Sequence, residues 1–159
     1  MKKILIVDDD PSLARTLEIY FQSKSYAVSV ASNAAEAHEL WEEQEPDLIL
    51  LDVQLPDGDG PKVLARAKEQ QLGGDVVMIT AFQDTEATLA ALQLGAVDYL
   101  YKPLDLDALD LLLEKILRHR RERDRMVQWS HVISEVHKTN QIIGRSAAIS
   151  EVIKAVAQV

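Results

Sequence analysis

Five short apolar runs, separated by stretches of helical periodicity, restrict this chain to few folds. They fall near residues 3–7, 26–30, 47–51, 75–79 and 97–101. Apolar runs of four or five residues, bounded by polar or turn residues, suit strands buried on both faces of a parallel sheet. Helical patterns lie near 11–23, 34–44, 61–71 and 85–94, with a fifth starting near 105. Five such strand–helix units predict an α/β fold, a five-stranded parallel doubly wound sheet. The second run, Tyr26-Ala27-Val28-Ser29-Val30, alternates in polarity, which predicts a less buried position.

Local signals agree with these elements. Asp10 can cap the first helix with Pro11 at its first position. Asn33 and Glu36 have capping-box spacing. Asp84 is placed to cap the fourth helix and Gly95 to end it.

Four of the runs end in chemistry-bearing residues: Asp8-Asp9, Asp52, Thr80 and Lys102-Pro103. Parallel α/β sheets bind ligands at the carboxyl ends of their strands. Residues distant in sequence therefore converge as acids, a hydroxyl and an amine. Asp8, Asp9 and Asp52 suit a hard divalent cation such as Mg²⁺, because it prefers oxygen ligands. A cation relieves carboxylate repulsion, neutralises an incoming phosphoryl group and leaves one carboxylate to attack phosphorus. Lys102 and Thr80 offer a compact charge and a hydroxyl to phosphoryl oxygens. Singly, each residue has a duller role as a cap, turn or strand residue. The joint pattern on consecutive strand ends carries the argument. The turn Leu55-Pro56-Asp57-Gly58-Asp59-Gly60 can bring backbone close to a ligand.

Bulk properties exclude several classes. The chain has 159 residues and no cysteine, so disulfides and thiolate metal sites are absent. No run approaches the roughly 20 apolar residues that span a bilayer. The basic start, Met1-Lys2-Lys3, leads into an apolar run that ends at Asp8, too short for a signal peptide, so a cytoplasmic location is expected. Residues 1–117 carry 9 Lys/Arg and 22 Asp/Glu, a balance of −13, whereas 118–159 carry 8 and 4, a balance of +4. The acidic part does not suit nucleic acid. The charge break suggests a domain boundary.

Beyond that break the fifth helix has no stop signal. Leu106, Leu109, Leu113 and Ile116 give way to a polar tract, His119 to Arg125, and then to Met126, Trp129, Ile133 and Val136 in a shifted frame. The second stripe is expected to meet a partner helix, most simply that of a second copy, the alternative being that it folds back on a neighbouring domain. Glu122 and Asp124 among the arginines fit a solvated helix face rather than a DNA contact. Ser146 is placed to cap a helix running to about 158. That helix is too short to be stable alone, so it reads as the opening of a further domain.

Together, Ile6-Val7-Asp8-Asp9-Asp10, Leu50-Leu51-Asp52-Val53 with Pro56 and Gly58, Thr80-Ala81 and Lys102-Pro103 resemble the receiver domain of bacterial two-component response regulators. The resemblance covers about residues 1–120 and implies a flavodoxin-like receiver fold. It implies that Asp52 accepts a phosphoryl group from a sensor histidine kinase. It implies Mg²⁺ held by Asp9, Asp52 and the Gln54 backbone carbonyl, with Asp8 acting largely through water. Thr80, Ala81 and Lys102 would border the phosphoryl group, the Lys102-Pro103 bond would be cis, and Tyr99 would be the switch aromatic. Ile142-Ile143-Gly144-Arg145-Ser146, Ile149 and Val152-Ile153 resemble the opening of the AAA+ ATPase domain of NtrC-type activators of sigma-54 RNA polymerase. The expected organisation is a receiver over 1–120, a helical linker over 121–140 and the start of an ATPase domain over 141–159. DNA-binding regions would belong to the longer protein. No Gly-x-x-x-x-Gly-Lys-Ser/Thr loop is present, so a regulatory phosphoacceptor is expected rather than an enzyme. The alternatives are a receiver with a different output domain and a Mg²⁺-dependent aspartate-nucleophile phosphatase of the haloacid dehalogenase type. The latter requires a second Asp two residues after the nucleophile, where this chain has Gln54.

Overall fold

A computed structural model describes the backbone of residues 2–81 and 85–140, with side chains for 2–81, 86, 89–122, 125 and 126. The chain divides into two compact units, Met1–Ile116 and Leu117–Val159. The first contains strands β1 (Lys3–Val7), β2 (Ala27–Ala31), β3 (Leu48–Asp52), β4 (Gln54–Leu55), β5 (Gly58–Asp59), β6 (Asp75–Thr80) and β7 (Asp98–Tyr101). Its helices are α1 (Pro11–Ser23), α2 (Ala34–Gln44), α3 (Gly60–Glu69) and α4 (Thr85–Gln93), and α5 runs Leu106–Asn140.

The main sheet is parallel with order β2-β1-β3-β6-β7. Side chains alternate across it. Leu5, Val7, Ile49, Leu51, Val76 and Met78 enter one core with residues of α2 and α3, including Trp41 and Leu64. Ile4, Ile6, Leu48, Leu50, Val77 and Ile79 enter the other with Leu17 and Phe21 of α1 and Leu109, Leu113 and Ile116 of α5. Every residue of β3 and β6 is buried, as their near-continuous apolar sequences require. Fully burying one such aliphatic side chain stabilises the fold by about 1.5–3 kcal/mol. Strand β2, the alternating one, lies at an edge with four of its residues only partly buried.

The element ends follow the local sequence. Asp10 accepts from the amides of Ser12 and Leu13, at 2.8 and 3.3 Å. Asn33 accepts from the Glu36 amide at 2.9 Å, but the Glu36 carboxylate returns to Ser32 rather than to Asn33. Ser32 offers both an amide and a hydroxyl, so the reciprocal bond settles one residue earlier. Gly95, at φ 97°, ends α4 with Ala96 N–H donating to Ala91 and Gly95 N–H to Leu92, a Schellman arrangement. The Asp84 cap, the Ser146 cap and residues 141–159 lie outside the described residues, as do the side chains of Trp129, Ile133 and Val136. Met126 is exposed.

Two features were not expected. The 55–60 turn is built as a small antiparallel hairpin, β4–β5. A polar clasp also ties α1 to α5: the Tyr20 hydroxyl donates to Asp110, and Lys24 Nζ lies 2.5 Å from the same carboxylate.

Candidate functional site

The order of the sheet determines where a site can form. The chain reverses direction of travel between β1 and β3, and a crevice opens there at the strand carboxyl ends. Asp8 follows β1, and Asp52 ends β3. With Asp9, they place one carboxylate oxygen each within 4.8 Å of one another. Asp8 and Asp52 are buried, whereas Asp9 is exposed.

Lys102, just after β7, reaches into this cluster. Its Nζ lies 2.5 Å from Asp52 Oδ2 and 2.8 Å from Asp8 Oδ2. The second contact is an ion pair without hydrogen-bond geometry, so Asp8 Oδ2 is buried with no hydrogen-bond donor. The other oxygens are held by backbone: Asp10 N–H donates to Asp8 Oδ1 at 2.9 Å, and Gln54 N–H to Asp52 Oδ1 at 3.0 Å. The Lys102-Pro103 bond is cis. Burial is the largest influence on Asp52 and raises its carboxyl above the usual range, with Asp8 adding to it and Lys102 and the Gln54 amide opposing. Burial alone would lower the Lys102 ammonium, but the carboxylates of Asp52 and Asp8 outweigh it and hold the group above its ordinary value.

One ammonium facing three carboxylates leaves negative charge uncompensated. A divalent cation fits that donor set, because all three ligands are hard oxygens. A cavity of about 310 Å³ adjoins them, lined by Asp9, Asp52, Gln54, Leu55, Pro56, Ala81 and Lys102. Gly60 closes this region from behind. A Cβ there would stand 2.1 Å from the Asp52 carbonyl oxygen, so only glycine allows α3 to start so close to β3.

Thr80 and Tyr99 lie on β6 and β7, the two strands beyond β3 in the sheet. Thr80 is fully buried at the end of β6, and its hydroxyl donates to the Ala81 carbonyl at 2.9 Å. Tyr99 packs against the core on the α2–α3 side and meets Tyr101 edge to face. Thus Asp8, Asp9, Asp52, Gln54, Ala81 and Lys102 gather around one crevice, while Thr80 and Tyr99 lie on the neighbouring strands.

Sequence reasoning gave no role to the side chains of two further polar residues. Asp57 accepts from the amides of Ala34 and Ala35, at 2.6 and 3.0 Å, and so joins the hairpin to the start of α2. These amide bonds, led by that of Ala34, hold its carboxyl below the usual range. His38 is buried on α2 with neither ring nitrogen bonded to a protein group. A histidine inside the apolar pattern of α2 was its only signal.

Comparisons with known proteins agree with this geometry. The model of the response regulator receiver domain matches residues 4–114. Regulatory protein AtoC of Escherichia coli (strain K12) is 29% identical over 159 residues, all of this chain and 34% of the relative. DNA-binding transcriptional regulator NtrC of Proteus hauseri is 31% identical over 153 residues, 96% of this chain and 32% of the relative. The chain therefore spans about a third of the length of these two relatives. A CheY-like receiver domain protein from Methanospirillum hungatei superposes with a TM-score of 0.70 at 31% identity, covering 77% of this chain and 98% of that one. By its sequence match over most of its length, and by its parallel sheet, the chain belongs to the response regulator receiver domain family.

Proposed function

We propose that Asp52 is the phosphoacceptor of a two-component receiver and that its phosphorylation controls an output domain in a longer regulator. The supporting observation is the shared contact of Lys102 with the buried carboxylates of Asp52 and Asp8. An Asp52 oxygen attacks phosphorus of a phosphohistidine on a sensor kinase. The new O–P bond replaces the P–N bond, and the electron pair leaves with the imidazole nitrogen. Asp52 needs no general base, because an ionised carboxylate is already a nucleophile. Asp8, Asp9 and Asp52, with the Gln54 carbonyl, would hold Mg²⁺, which supplies charge neutralisation for the incoming phosphoryl group. Lys102 then pairs with a phosphoryl oxygen, and Ala81 leaves the approach open.

The switch follows from the same charges. A phosphoryl group adds roughly −1.5 to −2 charge and strong acceptors at the end of β3. Thr80 donates to it after turning from the Ala81 carbonyl, and the Tyr99 ring follows into the vacated space. The face formed by α4, β7 and α5 carries the change. Leu89, Leu94, Val97, Tyr101 and Leu111 are exposed there, an apolar composition that suits a second copy of the receiver. Similarity to AtoC and NtrC, with the 142–153 resemblance, supports an AAA+ output acting on sigma-54 RNA polymerase in the cytoplasm. The linker stripe adds a second homodimer contact. Neither membrane nor nucleic acid is a partner of this part of the chain, and no described helix is long and apolar enough to cross a membrane.

Intact-mass spectrometry after incubation with acetyl phosphate and Mg²⁺ tests the proposal. An acid-labile mass gain is expected for the native chain and none for Asp52→Ala. An equal gain in Asp52→Ala would overturn it. Light scattering with the fluoroberyllate mimic tests the dimer, and a monomer with and without the mimic would remove it.

A further inference from the structure

We propose that Tyr101 is a positioning residue for the switch, holding the Tyr99 ring in its present rotamer and thereby setting how readily the receiver turns on. This rests on the reading that phosphorylation of Asp52 moves Thr80 and Tyr99. Residues two apart on a strand share a face, so Tyr99 and Tyr101 lie on one side of β7 and Leu100 on the other. The packing agrees: Tyr99 joins the α2–α3 core and Leu100 the α1–α5 core. Among the described residues β7 is the last strand of the sheet.

The two rings meet edge to face, with centroids 5.1 Å apart and planes at 69°. The Tyr99 phenol is also the leading influence that raises the Tyr101 phenol above its ordinary value. Tyr101 is at the same time the ladder partner of Thr80 and the residue before Lys102. It therefore joins the aromatic ring, the threonine strand and the lysine that contacts Asp52. A Tyr99 ring that turns inward must first give up the edge contact. An aromatic pair of this geometry changes an equilibrium by about two- to tenfold. Only a conformational balance of that size is at stake, because Tyr101 is 41% exposed and its truncation opens no core cavity.

The test uses the full chain labelled with 3-fluorotyrosine. Its four tyrosines are few enough to assign in ¹⁹F spectra from single Tyr→Phe variants. Native protein, Tyr101→Phe and Tyr101→Ala are titrated with fluoroberyllate in Mg²⁺. In Tyr101→Ala the Tyr99 resonance should already lie part-way toward its loaded position, and the titration midpoint should fall about two- to tenfold. Tyr101→Phe, which keeps the ring pair, should stay close to native. An unchanged or raised midpoint in Tyr101→Ala, with Tyr99 at its native position, would overturn the proposal while leaving the switch intact. A native Tyr99 resonance that ignores fluoroberyllate would defeat the switch reading and this inference with it.

Discussion

Lys102→Met removes the only cation that, among the described residues, contacts Asp8 and Asp52, while keeping most of the side-chain stem. Removing one partner of a buried ion pair typically costs about 3–5 kcal/mol. The lysine side chain is 28% exposed while its partners are nearly fully buried, so the low end, about 3 kcal/mol, applies at neutral pH. Protonation limits that cost. Burial first, and Asp8 after it, already raise the Asp52 carboxyl, and Lys102 opposes them. Without the lysine the carboxyl rises further. A carboxyl raised in the folded state keeps a proton that the unfolded chain releases. Stability then falls as pH rises from the unfolded value to the folded one, by up to about 1.4 kcal/mol per pH unit for one proton. The deficit of Lys102→Met against native should therefore be small near pH 5 and largest near pH 8. Mg²⁺ should recover about 1.4 kcal/mol at ten times its dissociation constant. Urea unfolding in EDTA, followed by the fluorescence of buried Trp41 in a Trp129→Phe background, measures this. A deficit that does not change with pH, or is larger at pH 5, would refute charge compensation and make Lys102 a packing residue.

Other perturbations address the surroundings. His38→Leu should raise stability by about 1 kcal/mol in urea unfolding, because it replaces a buried imidazole without protein hydrogen bonds. A loss of stability would show that the imidazole is satisfied. Gly60→Ala should cost about 2–3 kcal/mol and lower the extent of phosphorylation by acetyl phosphate, since the added methyl overlaps the Asp52 carbonyl. Native extents would mean that the start of α3 moves without disturbing the end of β3.

The alternation of apolar runs and helical periods was enough to read the sheet, because β1, β3 and β6 carry polar residues only at their ends. Caps at Asp10 and Asn33 fixed helix starts through bonds to their own neighbours, which lie within reach of sequence reasoning. The gathering of Asp8, Asp9, Asp52 and Lys102 was legible for a related reason: strand ends in a parallel sheet share one edge. Contacts made across sequence were not. The Asp57 bonds to α2 and the Tyr20–Asp110–Lys24 clasp join residues more than 20 apart, and an isolated Asp or Tyr gives no sign of such a partner. The Thr80 hydroxyl shows a different limit, because its partner is the next residue in the chain. The strand placed the residue, but its rotamer depends on the nearby Ala81 carbonyl.

Borohydride trapping with peptide mapping most directly tests whether one crowded carboxylate carries the phosphoryl group in a metal-dependent way. Hydride reduces an aspartyl phosphate to homoserine, with loss of phosphate, and so marks the phosphorylated residue. After acetyl phosphate treatment, homoserine should appear at position 52 with Mg²⁺ and be lost with EDTA. Homoserine at position 8 or 9 instead, or equal conversion at position 52 without the metal, would contradict the account.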